Sequence, residues 1–419
     1  MADDRCIILL CLFSCLCCVI GELNLPEESA CVTEGFNGTC IDLFKCPTAA
    51  LTYLYAKAGF QQDRFPKFPE VCSYKDNEPI VCCTDCSIGV SLKNQAVGPL
   101  GKLKNKMNSV AKTKCYEYFE KLPYKCRGIG NVGVKKEWKE ERKCHEFDYS
   151  IAFAVGGRNA ERWEFPHMAL IGYGDDVKTA QWLCGGTVIS ERFILTAAHC
   201  TSTRALGNIS FAALGILKRS DPVENWKIYK IKRIIIHPEY KAPSKYHDIA
   251  LLETDTEIAF GKDLLPACLN IDEGFNHNGE APGWGRLGHR QALADTLQVV
   301  KLEAFNASEC AEIYHPHRHL KYGYDHEKQM CYGHHTKIID TCEGDSGGPL
   351  QYNQDHIRCL FSVVGVTSYG KNCGILGSAG MYTRVSYYVS WIESVVWPEE
   401  TEAKRKKDNL WLDKLFKSS

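Results

Sequence analysis

The chain has 419 residues, of which 45% are hydrophobic and 24% charged. That length asks for two or three units of roughly 100 to 200 residues each, and the composition excludes disordered and fibrous chains. A formal net charge of −1 gives no reason to expect nucleic acid as a partner. At the amino terminus, Arg5 precedes an apolar run from Cys6 to Ile20 broken only by Ser14. This is signal-peptide length and falls short of the roughly 20 apolar residues of a membrane span, so residues 1–21 are expected to be a signal peptide and no membrane span is expected. Of 23 cysteines, Cys6, Cys11, Cys15, Cys17 and Cys18 lie in that segment, which leaves an even 18. Dense, even cysteine usage implies disulfides, and hence an oxidising, extracellular setting.

Residues 31–83 hold six cysteines: Cys31, Cys40, Cys46, Cys72, Cys82 and Cys83. A unit this small cannot be held by core burial alone and needs disulfides, for which six cysteines allow fifteen connectivities. The cysteine order closely resembles a clip domain. That resemblance implies the pairs Cys31–Cys82, Cys40–Cys72 and Cys46–Cys83. Residues 84–153 read as a basic linker and activation segment, with poor periodicity and 13 Lys or Arg against five Glu between Gly101 and Lys143. Such a run is usually a solvated surface. Cys86, Cys115, Cys126 and Cys144 interrupt it, and some of them are expected to tie it to a neighbouring domain.

Residues 154–398 form the largest region. Short apolar, β-branched stretches recur there between turn residues: Met168–Tyr173, Thr187–Ile189, Phe193–Thr196, Ile228–Ile236, Ile249–Leu252 and Ser362–Thr367. Such spacing predicts an all-β barrel or sandwich. Tyr387–Val396 carries a helix-like pattern. Residues 399–419 form a charged tail, expected to fray.

Three motifs in this region carry chemistry. Gly344-Asp345-Ser346-Gly347-Gly348-Pro349 offers a serine hydroxyl in a glycine turn, where the amides of Gly344 and Ser346 can both point at a developing oxyanion. Thr196-Ala197-Ala198-His199-Cys200 offers an imidazole that can take the serine proton and return it to a leaving amine. His247-Asp248-Ile249 places an aspartate beside an apolar strand, suited to fixing the imidazole tautomer.

Together, in the order His199, Asp248, Ser346, these motifs resemble the chymotrypsin family of serine proteases, as do Cys184-Gly185-Gly186, Gly283-Trp284-Gly285 and Ser368-Tyr369-Gly370. The resemblance implies a chymotrypsin-like fold of two six-stranded β-barrels with a C-terminal helix, the triad lying in the cleft between the barrels. It also implies that Asp340, six residues before the nucleophile, sits at the base of the primary pocket and selects Arg or Lys. Ser368, Gly370 and Gly380 fall at substrate-binding positions. Phe153-Ala154-Val155-Gly156-Gly157 resembles the activation site, where the new amino terminus of Ala154 would pair with Asp345. Alanine departs from the usual isoleucine and buries less surface. Phe153 before the cut means that a protease selective for basic residues could not readily activate itself. Family disulfides map onto Cys184–Cys200, Cys310–Cys331 and Cys342–Cys373, while Cys144–Cys268 would keep light and heavy chains linked. Cys359 has no obvious partner.

The whole arrangement, clip knot, basic linker and protease, resembles the arthropod clip-domain serine proteases, especially the Snake-like group with a non-basic activation residue. This implies a haemolymph cascade of immune or developmental type, with an upstream activating protease of non-basic specificity, a downstream protease zymogen as substrate and a serpin inhibitor. The alternative is a clip-domain adaptor, non-catalytic or cofactor-dependent. No cofactor and no metal are expected: His315, His317, His319, His326, His334 and His335 crowd one segment but lack the Cys or carboxylate spacing of a zinc site, and Ile216 stands where calcium-binding relatives place an acid. Asn37, Asn208 and Asn306 head glycosylation sequons.

Overall fold

The computed structural model describes residues 25–33, 36–46, 49–50, 52–53, 68–75, 78–84, 109–120, 124–129, 137–142, 157–261, 263–272, 278–286, 291–336, 344–353, 360–370 and 379–406. Outside them lie the expected signal peptide, Phe153, Ala154, Asp340, Cys86, Cys144, Cys342, Cys359, Cys373 and the end of the tail. Among the described residues no helix is long and apolar enough to cross a membrane. The chain divides into two compact units, one built around residues 25–84 and the other around the region from 157 onward.

The smaller unit contains a four-stranded antiparallel sheet in the order Ala30–Thr33, Phe36–Asp42, Glu78–Cys83, Val71–Lys75. Cys31–Cys82, Cys40–Cys72 and Cys46–Cys83 are joined. All six cysteines are nearly buried, packed with Ile41, Leu43, Ile80 and Val81. The bridges do the work that so small a core cannot do by burial.

The larger unit is two closed six-stranded β-barrels. In the first, the strands Met168–Tyr173, Gln181–Val188, Phe193–Thr196, Gly207–Leu214, Lys227–Ile236 and Ala250–Thr254 close when the fourth pairs back onto the first. In the second, Gly279–Gly283, Gln298–Ala304, Gln329–Gly333, Pro349–Asn353, Phe361–Gly370 and Ala379–Arg384 close through the last two. Closure removes every edge that an antiparallel sheet would otherwise expose. The predicted strands fall within these limits, with Ile249 just ahead of its strand and Ile189 just past its own.

The unit also carries the helices α1 (Val110–Glu120), α2 (Ala307–Ile313) and α3 (Val385–Val396). Helix α1 corrects the reading of its segment as linker. Its Val110, Ala111, Cys115 and Tyr118 are buried in the first-barrel core, together with Leu264, Leu265 and Val396. Glu393 of α3 accepts hydrogen bonds from the Ser109 hydroxyl and the Ala111 amide, satisfying donors that a helix start leaves open, and Tyr118 donates to Glu191 at 2.8 Å.

The expected bond Cys144–Cys268 is corrected as well, because Cys268 is bonded to Cys115. The reason is packing: α1 lies against the strand Cys268–Leu269, bringing the two α-carbons to 5.2 Å. The charged tail also departs from expectation. Residues 398–406 are helical, Thr401 is buried with its hydroxyl donating to the carbonyls of Glu393 and Trp397, and Glu400 pairs with Lys114 of α1 at 2.8 Å.

Candidate active site

Strand register brings His199 and Asp248 together. Thr196 at the end of one strand faces Ala250 at the start of its neighbour, so the 3₁₀ turn Ala198–Thr201 and the residues just before Ala250 emerge side by side. The bridge Cys184–Cys200 anchors the residue next to His199 to the barrel. One Asp248 carboxylate oxygen accepts the His199 backbone amide at 2.8 Å and the other meets His199 Nδ1 at 2.8 Å. A carboxylate can only accept, so Nδ1 carries the proton and Nε2 is left as the basic nitrogen.

The second barrel completes the surroundings of Asp248. The Ser368 hydroxyl donates to the carboxylate oxygen that meets His199 Nδ1, and the Thr383 hydroxyl donates to the Asp248 carbonyl at 2.9 Å. Asp248 is only 1% exposed. Burial by itself would raise its carboxyl, but the charge and hydrogen bond of His199 and the Ser368 hydroxyl outweigh burial and hold it below the ordinary carboxylate value. Sequence reasoning placed Ser368 among substrate-binding positions and did not find its bond to Asp248. Nor did it find Thr383, since nothing local distinguishes a hydroxyl on a barrel strand.

Ser346 sits in a turn locked between the barrels. Its carbonyl accepts the Gly185 amide at 2.8 Å, the Gly347 amide donates to Thr367 at 2.8 Å, and the Gly348 amide donates to Asp345 at 2.9 Å. Gly347 has φ +79°, and a Cβ there would stand 2.2 Å from the Thr196 hydroxyl oxygen and 3.2 Å from the Ala197 amide. The Ser346 turn therefore abuts the strand end that leads into His199. Only glycine allows that approach.

Asp345 turns toward the Gly283-Trp284-Gly285 segment, where the Gly285 amide donates to its carboxylate at 2.7 Å. A Cβ on Gly283 would stand 2.0 Å from that carboxylate. Gly283→Ala must therefore displace Asp345 and, with it, the adjoining Ser346. We expect kcat to fall by about 100-fold, since misplacing a reacting group by about 1 Å costs that much. Steady-state kinetics would check it, and an unchanged kcat would remove the steric argument.

Gly370 and Gly380 face each other across the closing pair of strands, and a Cβ on Gly370 would find no atom nearer than the Gly380 Cα at 4.0 Å. The histidine-rich segment does not gather into a metal group among the described residues. His335 instead stacks on Phe305 and pairs with Glu303 at 2.7 Å, a contact that raises its imidazole above its usual value. Cys310 and Cys331 are joined, tying α2 to the second barrel. Asn208 is exposed on its strand. Asn306 is exposed and caps α2 through its carbonyl oxygen, accepting from the Ser308 and Glu309 amides. That capping role leaves the amide nitrogen, the atom that would carry a glycan, out of the cap.

Comparison with known proteins agrees with this geometry. The signature of the family described as Trypsin matches residues 154–392. The chain is 30% identical to Serine protease snk of Drosophila melanogaster over 371 residues, 87% of this chain and 78% of that one. It is 34% identical to Melanization protease 1 of Drosophila melanogaster, over 90% of this chain and 94% of that one. It is 35% identical to CLIP domain-containing serine protease C9 of Anopheles gambiae, over 57% of this chain and 67% of that one. The chain thus belongs to the trypsin family of serine proteases, among its arthropod clip-domain members.

Proposed function

We propose that the chain is a secreted zymogen of a serine endopeptidase that is cut near Phe153–Ala154, cleaves after Arg or Lys, and activates a downstream clip-domain zymogen in an extracellular immune or developmental cascade. The observation that carries this reading is the buried Asp248 holding the His199 ring through Nδ1, with Nε2 left over. In this mechanism Ser346 attacks the scissile carbonyl while His199 Nε2 takes the hydroxyl proton and later gives it to the leaving amine. Asp248 keeps the tautomer and stabilises the imidazolium, and the amides of Gly344 and Ser346 receive the oxyanion. Asp345, bonded to the Gly285 amide, holds the turn that carries both amides.

Specificity rests on Asp340, whose carboxylate would pair with a basic substrate side chain, in a pocket kept open by Gly370 and Gly380. A pocket that prefers basic side chains cannot readily use Phe153, so activation falls to an upstream protease of non-basic specificity. Control by a serpin suits such an enzyme. The names of the relatives, Melanization protease 1 among them, support the cascade reading.

The test replaces residues 151–153 with the site of a processing protease, cuts the chain, verifies Ala154 as the new terminus and measures hydrolysis of Arg, Lys and Phe amides. Arg or Lys substrates should exceed Phe by at least about 100-fold in kcat/KM, as expected where a buried charge would be left unpaired. A preference for Phe would overturn the pocket assignment. No hydrolysis from a correctly cut chain would favour the adaptor.

A further inference from the structure

Immediately before Asp248 stands a second cluster that the catalytic reading leaves unused. His237 follows the strand Lys227–Ile236 and is 8% exposed, its ring parallel to that of His247 with centroids 5.2 Å apart. Tyr388 and Trp391 of α3 enclose His237 edge-on at 5.0 and 4.9 Å. His247 holds φ +55°, a conformation that costs a non-glycine residue energy, and Tyr388 Oη lies 3.2 Å from its Nδ1. Glu239 reaches in from the surface, its carboxylate 3.5 Å from the same Nδ1. One ligand atom from each of His237, Glu239 and His247 lies within 4.8 Å of the other two.

We propose that His237, Glu239 and His247 form a zinc site through which Zn²⁺ inhibits the enzyme. Two imidazoles and a carboxylate are a set that Zn²⁺ takes readily, leaving one position for water. Zinc bonds of about 2.0–2.1 Å in tetrahedral geometry put ligand atoms roughly 3.4 Å apart, so the triangle must contract on binding. Glu239 is free to swing, with 65% of its side chain exposed, whereas His237 is walled in by aromatic rings. The remaining movement falls on His247. Its backbone continues directly into Asp248, and the Ile249 amide bonds the His247 carbonyl at 2.8 Å. A shift there reaches the 2.8 Å contacts that fix His199. Because it acts through positioning and not at the substrate pocket, zinc lowers kcat and leaves KM in place. The inhibitory half rests on the proposed peptidase activity; the binding half does not.

Binding is therefore measured on the uncleaved full chain by titrating Zn²⁺ in a calorimeter. We expect one equivalent whose affinity falls at least 10-fold in His237→Gln and in Glu239→Gln, and holds in a His334→Gln/His335→Gln control. Glu239→Gln, on an exposed side chain, keeps the test usable should His237→Gln misfold. On the activated chain, zinc should lower kcat at least 10-fold with KM within two-fold, and Glu239→Gln should relieve the inhibition. Absence of stoichiometric binding, or binding unchanged in both variants, would overturn the site. Zinc bound at the site with kcat unaffected, or a rise in KM alone, would overturn the inhibitory role. An activated chain without activity would count against the function proposed above while the calorimetry still decided the site.

Discussion

Ser346→Ala in the activated chain should lower kcat by about 10⁶-fold and Asp248→Asn by about 10⁴-fold, and the double variant should be no slower than Ser346→Ala alone. The serine effect removes the nucleophile outright. The aspartate effect follows from the hydrogen bonds around its carboxylate. Asp248 accepts from the His199 amide, His199 Nδ1 and the Ser368 hydroxyl, all three donors pointing at a side chain 1% exposed. An amide keeps the shape but turns one acceptor into a donor. To avoid facing N–H with N–H, the imidazole must move its proton to Nε2, the atom that has to be basic. The groups act as a unit, so their losses do not add once the serine is gone. Burst and steady-state kinetics on one amide substrate would check this. A fully additive double variant would mean that Asp248 contributes independently of Ser346.

The pH dependence of Asp248 follows from the same contacts. Its native carboxyl lies below the ordinary value, so the stability it contributes is present above about pH 3.9 and is lost only as pH falls through the still lower native value.

Cys115→Ser should lower the unfolding free energy by about 2–4 kcal/mol, whereas Cys144→Ser should leave a Cys115–Cys268 peptide intact in a non-reducing digest. The native bridge closes a separation of 153 residues, long enough to restrict the unfolded chain substantially. It also staples α1 to the first-barrel core, where Val110, Ala111 and Tyr118 are buried and Glu393 satisfies the helix start. Without the bridge α1 loses its covalent tie and rests on noncovalent contacts, the Tyr118–Glu191 and Lys114–Glu400 bonds among them. Chemical denaturation of each serine variant and mass mapping of the disulfides would check both halves. A Cys144–Cys268 peptide from the unsubstituted chain would contradict the fold described here.

The all-β character of the larger unit was legible in the sequence because strands such as Met168–Tyr173, Phe193–Thr196 and Ala250–Thr254 are short, bounded, largely apolar runs that lie fully buried. The two-barrel arrangement came only from the family resemblance. Helix α1 was not legible. Its apolar positions are interleaved with Lys112, Lys114 and Glu117 and sit in a segment whose overall charge resembles a solvated linker. Only the partner surface on the barrel, with Glu393 and Glu400 waiting for it, makes that stretch a helix worth burying.

What the sequence by itself determined is the chemistry: a serine in a glycine turn, a histidine beside a cysteine, an aspartate before an apolar strand, and an even cysteine count. These are properties of residue type and spacing. Spacing alone could not choose the connectivity: the family resemblance supplied pairs such as Cys40–Cys72, while Cys115–Cys268 and the support of Asp248 were decided by tertiary structure. Cys40 directly faces Cys82 across paired strands yet bonds Cys72, and Cys268 takes Cys115. Ser368 and Thr383 reach Asp248 from 120 and 135 residues away. Such partners meet because closed barrels bring distant strand ends to one place, and no local pattern records where a barrel will close.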